Sequence, residues 1–239
     1  MTARRLDWDS TFFGFPIGES HARTLEDVRA ADEWAERERI RCLYLLVPSD
    51  AFPLIPVAES RHFHLAGVRV VCVAEGPFET KMRGAGEMNV RPVRQADIDA
   101  LERIAGSAHP DTRFFADQNF SRDACRRLYE TWIRRSSEGW ADCVLVADGD
   151  AGGAAGPVGY VTLHRQDDRA RIGLIAVASE TRGAGVGRAL VAEAFRWCGR
   201  HGIQRVSVAT QAQNTTALRF YLRCGFGIDS VDFWLHKWR

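Results

Sequence analysis

The segment Arg182-Gly183-Ala184-Gly185-Val186-Gly187 restricts the possible folds more than any other stretch of the chain. Before it lies an apolar run, Ile172 to Val177, which reads as a buried strand. After it, Val186, Leu190, Ala194 and Cys198 recur at i+4, flanked by Val191 and Phe195. That spacing predicts an amphipathic helix from Arg188 to Gly199 with one apolar face. Strand, glycine-rich turn and helix together make a cradle for an anion. Glycine lets the backbone approach closely and take dihedrals that other residues avoid. The free N–H groups of the first helical turn then point at the ligand, with the helix dipole behind them. The loop is not a P-loop, because no Gly-Lys-Ser/Thr follows, and its GxGxG spacing differs from the GxGxxG of dinucleotide-binding folds. From Arg182 to Arg205 there are five Arg and one Glu, or 5 − 1 = +4. A diphosphate is the expected guest.

That local charge stands out because the whole chain is nearly neutral. Lys and Arg number 32 and Asp and Glu 31, a net charge of +1 over 239 residues. A general nucleic-acid binder needs a broad cationic excess, so no nucleic-acid partner is expected. No run approaches the roughly 18–20 apolar residues of a membrane span. The start, Met1 to Ser10, carries Arg4, Arg5, Asp7 and Asp9 and has no signal-peptide core. The expected location is therefore the cytoplasm, with no membrane contact. None of the six cysteines stands in a CxxC pair, so reduced, buried thiols are expected rather than disulfides or zinc. His62, His64 and His109 have no ligand spacing, and no metal is expected.

The pattern along the chain is α/β, and the length allows one large domain or two small ones. Residues 81–89 read as a linker between an N-terminal α/β domain, 1–80, and a second domain, 90–239. In the first, a helix is expected over Leu25 to Arg39 and strands over Cys42 to Val47 and Val68 to Ala74. In the second, strands are expected at Val90 to Val93, Val144 to Ala147, Val158 to His164, Arg171 to Val177, Arg205 to Thr210 and Ser230 to His236. The run DGDAGGAAGP between the second and third of these reads as flexible. Ser121 should cap a helix reaching Arg135. The block Arg205 to Trp234 echoes Cys42 to Ala74, each reading strand, loop, helix, strand, which places Phe63 opposite Tyr221 and Gly67 opposite Gly225. The first domain then reads as a degenerate copy of part of the second.

Two ordered motifs resemble a known superfamily. Arg182 to Gly187, after Ile175-Ala176-Val177, is similar to the R/Q-x-x-G-x-G/A motif of the GNAT acyltransferases. Ser179 stands where that superfamily usually has Pro. Asn214-Thr215-Thr216-Ala217-Leu218-Arg219-Phe220-Tyr221, then Gly225-Phe226, resembles its second motif, N-x-x-A-x-x-x-Y with Gly-Phe. Leu6 to Gly14, Thr112 to Phe115, Tyr129 to Ile133 and Ala209 to Thr215 extend the resemblance to the TDP-fucosamine N-acetyltransferases. It implies a mixed, splayed sheet flanked by helices, with a smaller N-terminal domain resembling a partial GNAT. It also implies acetyl-CoA as cosubstrate, a TDP-4-amino-4,6-dideoxyhexose as acceptor, and a homodimer.

The implied roles follow residue by residue. Ile175, Ala176 and Val177 offer their backbone to pantetheine as an added strand would. Arg182, Gly183, Ala184, Gly185, Val186, Gly187 and Arg188 take the pyrophosphate. Asn214, Ala217 and Tyr221 lie at i, i+3 and i+7, on one helix face. Asn214 would bond the pantetheine chain and Tyr221 would face the leaving sulfur. A phenol of pKa about 10 protonating a thiolate of about 8.5 goes uphill by about 2 kcal/mol, so a hydrogen bond precedes any full transfer. Backbone N–H near Val177 would stabilise the developing oxyanion. On the acceptor side, Arg113 could meet a nucleotide diphosphate and Phe114 and Phe115 could stack on a base. Gln211 could bond sugar hydroxyls. His164 has the intrinsic pKa of a base for the amine, although water could serve instead. Two other readings stay open: an acetyltransferase for peptide or other small amines, and a non-catalytic acetyl-CoA sensor.

Overall fold

The computed structural model describes residues 3–78, 88–151 and 154–239. In chain order the elements are β1 (Arg4–Arg5), α1 (Asp7–Phe13), β2 (Ile17–His21), α2 (Leu25–Arg37), β3 (Cys42–Pro48), α3 (Ile55–Ser60) and β4 (His64–Glu75). Then follow β5 (Val90–Pro92), α4 (Ile98–Ala108), α5 (Arg113–Ala116), α6 (Arg122–Arg135), β6 (Cys143–Ala151) and β7 (Ala154–Gln166). The last are β8 (Arg169–Val177), α7 (Val186–Arg200), β9 (Arg205–Gln211), α8 (Thr215–Arg223) and β10 (Gly227–Trp238). All strands lie in one mixed sheet, in the order β1-β2-β3-β10-β4-β9-β8-β7-β6-β5.

The sheet does not part where the sequence suggests a boundary between 1–80 and 90–239. β4 comes from the first segment, yet it pairs antiparallel with β10 on one side and β9 on the other, both from the second. β10 in turn lies between β3 and β4. β3 and β4 carry apolar residues on both faces, as strands in the interior of a sheet covered on both sides do. Most of the expected linker falls outside the described residues.

Local signals place the helices. Thr24 caps α2, its hydroxyl accepting from the Asp27 N–H, and Asp27 accepts from the Thr24 N–H in return. Ser121 caps α6, accepting from the Ala124 N–H. α7 buries the predicted face, Val186, Leu190, Val191, Ala194, Phe195 and Cys198, against the sheet. The other face of the sheet carries α4, α5 and α6 over Tyr44, Leu46, Val146, Tyr160 and Trp234. The described residues of the run DGDAGGAAGP are the end of β6 and the start of β7, strand where a flexible connection was expected. The β6–β7 ladder continues through Asp148–Pro157 to Ala151–Ala154, because a bulge after Ala147 restores the register.

The echo between the two blocks has a different register from the predicted one. Phe63 N–H bonds the Ala58 carbonyl and Phe226 N–H bonds the Tyr221 carbonyl, the same helix-ending turn in α3 and α8. The residue before each has positive φ, 65° at His62 and 86° at Gly225. Ala58 therefore stands opposite Tyr221, and Phe63 opposite Phe226. Phe63 resembled Tyr221 only as an aromatic residue near a helix end.

Candidate active site

β8 and β9 run parallel from Arg169–Arg205 to Ile172–Val208 and pair no further. The cause lies on the far side of β8. Ile175 pairs with Val161 but Ile172 pairs with Leu163, so β8 bulges by one residue against β7. Within the bulge the Leu174 N–H donates to Thr162 Oγ1 at 2.9 Å. Further on, the Ala178 N–H donates to the Val158 carbonyl at 2.8 Å, on β7. Because backbone groups alternate along a strand, Ile175 and Val177 aim theirs the other way, into the opening towards β9. The predicted edge is thus present and open for an extended chain with amide groups.

The glycine loop closes one end of this opening. Gly183 and Gly185 both hold φ of 85°, which a side chain would strain. The helix starts at Val186, two residues before the predicted Arg188. The N–H groups of Gly183, Gly185, Val186, Gly187 and Arg188 make no hydrogen bond to a described residue. They form a row of free donors at a helix N-terminus. The local charge is smaller than the +4 read from the sequence. Arg196 and Arg200 are paired with Glu193, and Arg205 with Glu75 and Asp229. Arg182 and Arg188 have no ion-pair partner among the described residues. A Cβ on Gly187 would approach Phe220 Cζ to 3.2 Å, so this glycine lets α8 lie close to the loop.

α8 supplies the second motif. Asn214 is its N-cap, and its Oδ1 accepts from the Ala217 N–H at 3.0 Å. The Asn214 carbonyl oxygen is therefore occupied, and Nδ2 is what it can offer a ligand. Tyr221 is buried, with the ring of Phe220 at 5.3 Å and that of Phe226 at 5.7 Å. Burial pushes its phenol above the ordinary value. It stays a neutral hydrogen-bond donor at neutral pH, and full proton transfer to a thiolate becomes harder than the free phenol suggests.

The predicted acceptor residues divide. Arg113 opens α5 and lays its guanidinium on aromatic faces, 4.0 Å from the Trp234 ring centroid and 4.3 Å from that of Tyr44. Its Nη1 is buried without a hydrogen-bond partner, and so is Gln211 Oε1 at the end of β9. Gly67 makes room for both: a Cβ there would lie 2.9 Å from Gln211 Oε1 and 3.4 Å from Arg113 Cβ. A buried unused donor and a buried unused acceptor on residues that both flank Gly67 suit a polar ligand. Phe114 does not fit the predicted stacking role. It is buried, packed against Phe13, Tyr44 and Phe120, so its faces are covered. Phe115 is half-buried on the same cluster.

His164 covers the β8 bulge: its Nε2 lies 2.6 Å from where a Cβ on Gly173 would stand. That nitrogen is buried and unpartnered. Burial first, and Arg171 second, lower the imidazole pKa, so the ring is neutral at pH 7. Thr162, Tyr44 and Trp234 were not singled out from the sequence, and Gly67 was noted there only as the counterpart of Gly225, not as a site residue. No local spacing marks them, since strand register alone brings them to the site. Among the described residues no three His, Cys, Asp or Glu side chains gather as a metal site requires. None of the described helices is long and apolar enough to cross a membrane.

A parallel strand pair opened by a bulge, leading into a glycine loop of free amides, defines an acyltransferase-type cleft. The model of the Acetyltransferase (GNAT) family matches residues 99–226, just over half of the chain, and the chain belongs to that family. It is 34% identical over 148 residues to the dTDP-fucosamine acetyltransferase of Escherichia coli, covering 60% of this chain and 61% of that one. It is 27% identical over 149 residues to the spore coat polysaccharide biosynthesis protein SpsD of Bacillus subtilis, covering 62% and 50%. The matches thus span less than two thirds of either relative. A GCN5-related N-acetyltransferase from Sphaerobacter thermophilus shares the fold, with a TM-score of 0.66 at 18% identity over 99% of this chain and 76% of that one.

Proposed function

We propose that this chain transfers the acetyl group of acetyl-CoA to the amine of a nucleotide-linked amino sugar, a TDP-4-amino-4,6-dideoxyhexose. The observation that carries acetyl transfer is the β8–β9 opening with its row of free loop amides. The resident residues fit the cosubstrate. The edge at Ile175 and Val177 accepts the pantetheine amides, and Gly183 to Arg188 donate to the pyrophosphate. The nucleotide-sugar acceptor is supported by the 34% identity to the dTDP-fucosamine acetyltransferase and by the unused polar atoms of Arg113 and Gln211. Residues 1–80 belong to the same proposal as a degenerate copy of the acetyl-CoA half.

In this reading the neutral amine attacks the thioester carbonyl, a C–N bond forms and the C–S bond breaks. Backbone N–H at Val177 meets the developing oxyanion. Tyr221 donates a hydrogen bond to the leaving sulfur. His164, neutral and beside the bulge, accepts the amine proton directly or through water. Much of the rate gain comes from holding the two substrates together.

Thiol release measured with TDP-amino sugars, amino acids and polyamines tests the proposal. Release with the TDP-amino sugar is expected to exceed the others. The Tyr221→Phe variant should lose tenfold or more in kcat while its acetyl-CoA Kd stays within twofold. Preference for a peptide or polyamine would replace the acceptor. Tight acetyl-CoA binding with no release for any amine would make the protein a sensor.

A further inference from the structure

A second cleft lies on the sheet face that carries Arg113. It holds about 290 Å3 and is lined by His21, Arg23, Asp27, Leu46, Pro48, Arg69 and Asp232. Strand register connects it with the acetyl-transfer site. Gln211 on β9 pairs with Arg69 on β4, Arg69 with Asp232 on β10, and Asp232 with Pro48 on β3. Paired residues share a face, so these four side chains form one row from the β8–β9 opening to the cleft. Four interstrand steps from β8 to β3 span roughly 20 Å. Trp234 links the two sites: Arg113 lies 4.0 Å and Arg69 5.4 Å from its ring centroid.

The chemistry changes along this row. Arg113 has no ion-pair partner among the described residues and keeps a free, buried donor, as an anion site needs. The cleft differs. Arg23 and Arg69 are balanced by Asp27 and Asp232, 2 − 2 = 0 for the Arg and Asp side chains of the lining. Arg69 Nε and Nη2 donate to Asp232 Oδ2 at 3.1 and 3.0 Å, which fixes a donor and an acceptor side by side. Leu46 and Pro48 add an apolar seat. An uncharged, planar group with alternating donors and acceptors fits this lining better than a phosphate does.

We infer that this cleft, built largely by residues 1–80, seats the pyrimidine base of the acceptor's nucleotide. The imide edge of such a base presents acceptor, donor and acceptor. Arg69, Asp232 and Arg23 present the complement. Arg23 is released from an exposed pair with Asp50, which costs little. The diphosphate then lies at Arg113, the sugar at Gln211 and the amine at the β8 bulge. This inference rests on the nucleotide-linked acceptor proposed above.

Calorimetric titration of thymidine diphosphate into the full chain saturated with CoA tests it. The wild type should bind, and Asp232→Asn and Arg23→Ala should each raise Kd fivefold or more. Inorganic pyrophosphate, which has no base, should bind wild type and variants alike. An unchanged acetyl-CoA Kd certifies the fold, and Arg23→Ala decides the matter should Asp232→Asn disturb it. Thymidine diphosphate bound equally by wild type and both variants would overturn the base site and leave the acceptor reading intact. No binding to the wild type, together with turnover of the free amino sugar, would overturn the acceptor reading and this inference with it.

Discussion

Apart from α1, which lies between β1 and β2 and has no counterpart between β7 and β8, the run β1-β2-α2-β3-α3-β4 and the run β7-β8-α7-β9-α8-β10 have the same element order, and their strands mirror each other across the sheet. β2 and β3 are parallel, as are β8 and β9, and each run lends its last strand to the other. Their chemistry differs at three matched places. β2 pairs with β3 along its whole length, and the Ala22 N–H extends the ladder to the Leu46 carbonyl. β8 leaves β9 after Ile172, and the Ala178 N–H turns to β7 instead. The amides before α2 are occupied by Asp27, whereas those before α7 are free. Ala58 stands where Tyr221 stands. One scaffold thus holds its ends closed for stability and the other holds them open for a ligand.

The exchange of last strands predicts the largest effect. A chain of residues 90–239 alone lacks β4, so β9 and β10 each lose a partner, and β10 loses β3 as well. One edge of β9 and both edges of β10 should then face water. The expected outcome is loss of cooperative thermal unfolding, followed by circular dichroism. Adding residues 1–80 as a separate chain should restore it. A cooperative transition in 90–239 alone would break the comparison, because the mirrored runs would then be independent folding units.

A smaller effect is expected where the runs meet. His236 on β10 is fully buried, and its Nδ1 lies 2.7 Å from Asp117 Oδ2. The Asp117 carboxylate also accepts from Trp238 Nε1 and from Asn119. Burial raises its pKa, but these bonds outweigh that and hold it well below the usual carboxylate range. Burial lowers His236 to about 4, against about 6.5 in an unfolded chain. The unfolded state therefore binds more protons between those values. Stability is full above about pH 6.5 and falls as pH drops towards 4, on the order of 1–3 kcal/mol. Arg113 and His64 also face this pair and oppose a charge on His236. Thermal melts from pH 7.5 to 4.5 should show the decline, and His236→Gln should flatten it. Equal slopes in both proteins would remove His236 from the junction.

The open half was far more legible in the sequence than the closed one. The glycine loop and the Asn214 and Tyr221 spacing are local, and local spacing survives in a linear reading. The apolar face of α7 emerged for the same reason. The interleaving of β4 and β10 did not, because pairing between residues far apart in sequence leaves no local mark. Gly67, Tyr44, Trp234 and Arg69 reach the site through that pairing alone. Composition misled in one respect: the arginines after the loop form a charged run in sequence, but Glu193, Glu75 and Asp229 neutralise three of them in space.

The smallest effects separate the two helix starts. Thr24 and Asp27 bond each other's backbone, so the α2 N-terminus satisfies its own amides. Thr24→Ala should cost about 1 kcal/mol of stability. It should leave the acetyl-CoA Kd unchanged. Gly185 holds the matched position before α7 at φ of 85°, and Gly185→Ala should cost a similar amount, about 1–2 kcal/mol. Its second readout differs. A loop forced out of that conformation misaligns the free amides, so acetyl-CoA affinity should fall severalfold. Melting temperature and acetyl-CoA Kd measured on both variants give the comparison directly. Equal losses of affinity would mean that the α2 start also serves the cosubstrate, and the division into a closed and an open end would not hold.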